Sequence, residues 1–578
     1  MVVLAASVGW VGYRGMQVRD HLNTALQLVS DLQKQIVGGD SDAALKTVAD
    51  IQRETAAASG AANDPLWSVA QHSPFVGDDL RTVRLLADSS DQLAWQVLAP
   101  LANAANGLDL SKLAPQNGTI DLESLTNAGS QISVAATGLA KIKDRLADVR
   151  TDGLIGPVAD AVNKFNAKLD EAQGFTGAAL RAVDLLPGML GKDGPRTYLV
   201  VFQNPDELRS TGGIFGAYAV ITADHGHIEL VKQGAVSTDL KRFSPPIVTL
   251  PDNQRDLYSD KAAEWPVDVN LIPDFPQAAQ IFAAMYRAKF GTTVDGVIAT
   301  DPVALSYILK ATGPLALPAM VQQATGVPQL TADNAVPFLL KEAYAVGSPD
   351  VADAIFAATA YAVFHALLTG SGSSSQMLRS LGQAVDEHRI LVWSTHQAEQ
   401  QRLQESPLAG AISTHDGASP MVGVFLNDGT GGKLDYYLRQ TVAVKPGECL
   451  SDGAFALTVT VTLTSKAPSS GLPDYVTGLA MAGSYHIRTQ LLFTTPSGGS
   501  TTSMTQDAVP VKFGNHSDFG RNVAKVTVDL APGASTTLQA TMVTGPLQSA
   551  PSSLDVRTTP MVSPTPISVG KIPACAGR

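Results

Sequence analysis

"TYLVVFQNPDELRSTGGIFGAYAVI", Thr197–Ile221, decides what kind of fold the middle of this chain adopts. "TYLVVF" is a continuous apolar run of strand length, rich in β-branched and aromatic residues, and "IFGAYAVI" is a second. Between them, Gln203–Gly213 ("QNPDELRSTGG") packs together Asn204, Asp206, Glu207, Arg209 and the pair Gly212–Gly213. A strand that only has to turn can do so with one glycine or an Asn-Gly step. Polar groups this dense after a buried strand leave two readings open. In one, Arg209 pairs with Asp206 or Glu207 on an irregular loop that the glycines help to turn. In the other, the loop is a functional edge of the sheet, on the side where α/β layers usually receive ligands.

Outward from this stretch the pattern alternates between strand and helix. "ADHG" gives a turn and "HIELVKQ" a third strand. "FPQAAQIFAAMYRAKFG" has a proline near its start and a glycine at its end, as helix caps prefer. "VDGVIATD" is a strand, "PVALSYILKATG" a helix, and "DVADAIFAATAYAVFHALL" a long apolar helix expected in a core. "RILVWS" and "MVGVFLND" complete a layered α/β domain over residues 194–430. Residues 431–560 then read as an all-β sandwich of immunoglobulin-like shape, since "ALTVTVTLTS" alternates Thr with Val and Leu as a sheet with one wet face does. Residues 561–578 form a Pro-rich tail.

On the N-terminal side the apolar positions step by threes and fours. Leu22, Leu26, Val29, Leu32 and Ile36 mark one stripe running from Val18 to about Ala62, and Leu80, Val83, Leu86, Leu93, Val97 and Leu101 mark another. With two further helical stretches, residues 17–191 are expected to form a helical bundle or stalk, with Trp67 and Trp95 in its core. Residues 1–16 read as a partial membrane anchor: "MVVLAASVGWVG" carries no charge and closes on Trp10 and Tyr13, as interfacial segments do. At about 12 residues it is shorter than the ~20 that cross a bilayer as a helix. A soluble helix with apolar first turns is the other reading. With an anchor, the bulk of the chain lies outside the cytoplasm.

Composition narrows the function. At 578 residues the chain needs several cores. Hydrophobic residues make up 45% and charged residues 16%, the balance of a folded protein. A net charge of −12, with no compact basic cluster, excludes general nucleic-acid binding. The two cysteines, Cys449 and Cys575, are either separate thiols or one disulfide formed in an oxidising compartment.

No P-loop, GxGxxG, GxSxG or HExxH pattern is present. "DHGH" (Asp224–His227) sits where a hairpin turn is expected, so a solvated turn is preferred over a metal pair. Asp274 and Asp301 each precede a helix start carrying a proline, the pattern of an N-cap. The alternative gathers such acids near Arg209 around a divalent cation, with the guanidinium on a phosphate.

"TYLVVFQNPDELRSTGGIFGAYAVI", "PDFPQAAQIFAAMY", "VDGVIATDPVALSYILKATGPL" and "GVFLNDGTGGKLDYYL" together closely resemble the domain-of-unknown-function family 4012, envelope proteins of high-G+C Gram-positive bacteria. A weaker resemblance is to the LytR-CpsA-Psr family, which transfers glycopolymers from a polyprenyl pyrophosphate carrier to the cell wall. That resemblance implies a LytR-CpsA-Psr-like central domain in which Arg209 and Glu207 serve catalysis. Asn204, Arg209, Lys241 and Arg242 would bind the lipid-linked glycan, and Asp239, Asp274 and Asp301 would hold Mg2+. "STDLKRF" only approximates that family's later Arg-Asp motif. The expectation is thus a membrane-anchored extracytoplasmic protein that binds or transfers polyprenyl-phosphate-linked glycopolymer. The alternative is a non-catalytic envelope scaffold whose partners are other envelope proteins.

Overall fold

Two glycines break the first apolar stripe. In the computed structural model of the chain, helix α1 (Val2–Gly38) ends at this pair and Gly39 turns the backbone at φ 77°. Asp40 then caps α2 (Ser41–Ala62), its carboxylate accepting from the Ala43 N–H at 3.1 Å. The single stripe expected from Val18 to Ala62 is therefore two helices. They pack antiparallel, with Ala25 and Leu32 against Ala44, Val48 and Ile51, and Val18 against Ala58, Ala61 and Ala62.

The structure describes residues 2–107, 118–343, 349–368, 374–478, 483–547, 551, 553–573 and 575. They divide into two units, the first essentially residues 1–195 and the second essentially 196–578.

The first unit is helical, as expected. After α2 come α3 (Pro65–Ala70), α4 (Gly77–Leu93), a π-helical turn at Ala94–Leu98 and α5 (Ala99–Gly107). The long helices α6 (Leu122–Leu146) and α7 (Gly156–Met189) complete it, with Leu139, Ile142, Val162 and Leu169 in a shared core. Close helix approach is real here: a Cβ on Gly138 would lie 2.8 Å from the Gln96 carbonyl oxygen. Trp67 is buried and donates its indole N–H to the Leu80 carbonyl at 3.0 Å. Trp95, also expected in the core, is 57% exposed, because the inward positions of its turn belong to Ala94 and Val97. Among the described residues, no helix is long and apolar enough to cross a membrane.

The second unit starts with β1 (Arg196–Asn204), β2 (Ile214–Asp224) and β3 (His227–Ala235). They join β4 (Gly296–Thr300) and β5 (Leu391–Ser394) in a sheet of order β3-β2-β1-β4-β5. β1 and β4 run parallel, in register Tyr198↔Gly296 to Phe202↔Thr300. Helix α8 (Phe275–Phe290) packs on this sheet, placing Phe282 edge-on to Phe215 at 5.1 Å. Helix α9 (Pro302–Thr312) follows β4. The apolar helix α10 (Pro349–Leu368) buries Ile355 and Thr359 but leaves Tyr361 half exposed.

Two further sheets follow. One contains β7 (Leu438–Cys449), β8 (Phe455–Ser465), β10 (Ser500–Gln506) and β13 (Ser535–Val543); the other contains β6 (Met421–Asp428), β9 (Ile487–Thr494), β11 (Gly514–Asp518) and β12 (Arg521–Leu530). In β8 every second residue is buried, as the Thr alternation predicts. The Pro-rich tail is tied down. Its neighbour β14 (Asp555–Thr558) pairs parallel with β6, its own β15 (Ile567–Val569) pairs parallel with β7, and Cys575 is disulfide-bonded to Cys449.

β6 corrects the expected partition at residue 430. It lies in the second of these sheets, not in the α/β layer. Its side chains alternate between two cores: Met421 and Phe425 enter the core of the α/β layer, while Val422, Val424 and Leu426 enter the core shared by the two C-terminal sheets. A strand covered on both faces carries no alternation in its sequence, which is why "MVGVFLND" reads only as an apolar run.

Candidate functional site

The loop between β1 and β2 is shaped by its own backbone before anything else touches it. Asn204 Oδ1 accepts from the Asp206 N–H at 3.1 Å, turning the chain as it leaves β1. The Gly212 N–H donates to the Arg209 carbonyl at 2.8 Å and the Ile214 N–H to the Glu207 carbonyl at 3.0 Å. Gly213 is required by close approach, since a Cβ there would lie 2.0 Å from the Asn204 carbonyl oxygen. Gly212, at φ 143°, occupies backbone space that favours glycine.

Residues distant in sequence then hold the loop on every side. The guanidinium of Arg209 donates from Nε (2.9 Å) and Nη2 (2.7 Å) to one oxygen of Asp268, and from Nη1 to the Leu208 carbonyl at 2.8 Å. The side chains of this pair are 11% and 15% exposed. Burial opposes the Arg209 charge, but Asp268, Asp428 and Glu207 outweigh it and raise its pKa above the usual arginine value. Glu207 is ion-paired with Lys433. The Leu208 N–H donates to Asp435 at 2.9 Å, and the Ser210 N–H to Asn427 at 2.9 Å. Thr559 donates its hydroxyl to the Ser210 carbonyl at 3.1 Å, and Asn270 donates to Thr211 (2.9 Å) and the Gly213 carbonyl (2.7 Å). The Leu208 side chain is fully buried in the core of the C-terminal sheets.

Three acids lie beneath this lattice. Asp206 is fully buried and neither of its carboxyl oxygens has a hydrogen-bond partner. Burial pushes Asp206 and Asp435 well above the ordinary carboxylate range, and raises Asp428 as well. Asp428 also accepts from the N–H groups of Thr430 and Gly431 at 2.7 and 2.8 Å, forming the turn after β6.

The other expected site residues lie in separate local structures. Asp274 caps α8, accepting from the Gln277 N–H at 2.9 Å, and also receives the Ile412 N–H at 2.8 Å; burial raises its pKa to about 6. Asp301 caps α9 by accepting from the Ala304 N–H at 2.7 Å, and its other oxygen takes Arg389 at 2.7 Å in a buried ion pair. Asp239 accepts the Tyr218 hydroxyl at 2.7 Å. Arg242 pairs with Glu264 at 2.7 Å on an exposed surface, and Lys241 is exposed. The expected Mg2+ set of Asp239, Asp274 and Asp301 is therefore three separate structural roles. Among the described residues, no three histidine, cysteine or carboxylate side chains form a metal-binding group. In the "DHGH" stretch, Asp224 and His225 pair at 2.6 Å on a solvated turn.

A cavity of about 30 Å³ lies beside Ser210 and Thr211, lined also by His388, Ile412 and Arg557. That is room for about one water. Arg209 is not among its lining residues.

Sequence reasoning named Arg209, Glu207 and Asn204 but not Asn427, Lys433, Asp435 or Thr559. The available signal was "NDGTGGKLDYYL", whose polar residues also follow directly on a buried strand. Residues 193–344 match the family model described as "Protein of unknown function (DUF4012)". No curated protein matches the chain. Among solved structures, a putative nutrient binding protein from Legionella pneumophila subsp. pneumophila str. Philadelphia 1 aligns at 9% identity, over 22% of this chain and 43% of that one. Its TM-score of 0.14 carries no argument about fold or function. None of these matches carries the LytR-CpsA-Psr resemblance.

Proposed function

We propose, from a chain whose residues 193–344 match the DUF4012 family model, a non-catalytic scaffold of the cell envelope rather than a glycopolymer transferase. The observation that carries this reading is the use of Arg209. A phosphate-gripping arginine needs free N–H groups facing a ligand-sized space. Arg209 instead directs its donors to Asp268 and a backbone carbonyl. Its neighbours Glu207, Leu208, Ser210 and Thr211 are likewise bonded within the protein. The loop acts as a rivet between the α/β layer and the C-terminal sheets, which we read as a β-sandwich module presented to partners.

The disulfide supports a location outside the cytoplasm. It joins the chain's only two cysteines across 126 residues, and such bonds persist in oxidising compartments. Titration of the full chain with a polyprenyl pyrophosphate in detergent, with Mg2+ present, tests the proposal. No saturable heat of binding and no glycan transfer are expected. Saturable binding that Arg209→Met abolishes while the fold survives would overturn the scaffold reading.

A further inference from the structure

One end of the helical unit exposes a concentration of apolar side chains. The connection from α2 to α4 carries Leu66, Val69, Phe75 and Val76 at 42%, 70%, 90% and 46% exposure. Its short helix α3 is held from beneath by buried Trp67, which leaves Leu66 and Val69, three residues apart, on an outward face. This connection lies beside the early turns of α1. Arg14 donates to Asp64, the N-cap of α3, at 3.0 and 3.2 Å, and Gly15 faces the Trp67 ring. One turn earlier, Trp10 lies under the Arg14 guanidinium at 5.0 Å and 5.9 Å from Tyr13, both rings facing largely outward.

The α1 residues before Arg14 continue the helix beyond its contact with the start of α3. From Val2 to Arg14 the helix rises about 18 Å at ~1.5 Å per residue. No residue before Arg14 carries a charged side chain. Along α1 the order is therefore apolar, then Trp10 and Tyr13, then Arg14 and Arg19. That is the order of the bilayer's depth profile, from hydrocarbon through the aromatic belt to the headgroups.

We propose that this end of the helical unit is a membrane-facing foot. The start of α1 enters the bilayer, and Leu66, Val69, Phe75 and Val76 rest in the interface. A protein groove could cover the four side chains of the connection. The uncharged start of α1, bordered by aromatic and then basic residues, selects a lipid surface instead. The inference rests on the envelope reading above.

The test uses the full chain with vesicles of phosphatidylcholine and phosphatidylglycerol. Since the native cysteines are bonded to each other, Phe75→Cys accepts a single environment-sensitive label. The label should shift to the blue on vesicle addition and be quenched by lipids brominated near the interface. The same label at Asp42→Cys, about 30 Å away along α2, should not respond. Val69→Asp with Phe75→Asp should weaken flotation at least tenfold. Vesicle binding with a silent label at position 75, or no binding at all, would overturn the foot. The envelope reading fails on a separate result, free thiols at Cys449 and Cys575 in natively exported protein.

Discussion

Replacing Asp268 with alanine strips the acid from a guanidinium that is nine-tenths buried, while leaving the loop's other contacts in place. Breaking a buried ion pair from one side typically costs ~3–5 kcal/mol, because an uncompensated charge remains inside. Arg209 retains the attraction of Asp428 and Glu207, so Asp268→Ala should fall at the lower end, about 3 kcal/mol. Arg209→Met should cost about 4 kcal/mol, since Asp268 is then left as an uncompensated, largely buried charge. The double variant Arg209→Met/Asp268→Ala removes both charges of the pair and should recover to within about 1–2 kcal/mol of wild type. The coupling between the two sites is then several kcal/mol, well above the ~0.5 kcal/mol scatter of independent sites. Urea unfolding of the second unit, followed by amide exchange at Leu208 and Ser210, provides the assay, since both amides donate into the lattice around the pair. Losses that simply add across the three variants, or an Asp268→Ala loss below about 0.5 kcal/mol, would refute the reasoning.

Two other outcomes follow from the same unit. Cys449→Ser/Cys575→Ser opens a loop spanning 126 residues and should lower stability by up to ~5 kcal/mol in the chain-entropy model; limited proteolysis should then cut first beyond Thr558. Asp274, with its pKa raised by burial to about 6, favours the fold when protonated. Its contribution is full below the unfolded value near ~3.9 and is lost as pH rises to about 6, a drop of roughly 3 kcal/mol that Asp274→Asn should remove from the stability profile. Equal slopes for the two proteins over that window would show that Asp274 does not titrate there.

What was legible in the sequence follows from distance along the chain. The alternation in β8, the strand–loop–strand of β1 and β2, and the caps at Asp274 and Asp301 are set by neighbours within a few residues, and all can be read directly. The break at Gly38–Gly39 was legible too, as a glycine pair followed by a capping Asp, but the apolar stripe on either side masked it. The partner of Arg209 was not legible. Asp268 lies 59 residues away, and no spacing rule distinguishes it from Asp206 or Glu207, which are nearer in sequence; yet Glu207 pairs with Lys433 and the carboxyl of Asp206 is buried without a hydrogen-bond partner. The same holds for Asp435, 227 residues from the Leu208 amide it accepts.

The strand that feeds two cores also orders events in time. β6 can be covered on its open edge only when β14, at Asp555–Thr558, has arrived to pair with it. Thr559 completes the arrangement by accepting the Leu426 N–H at 2.9 Å while donating to the Ser210 carbonyl. A ribosome that has released the chain only as far as residue 430 has exposed Val422, Val424 and Leu426 without the C-terminal sheets that bury them. The second unit therefore cannot close during synthesis of its first half. It must wait, unfinished, for β14 and Thr559. A unit that stays open until its closing strand emerges is one that can be drawn, unfolded, through a narrow passage and folded afterwards.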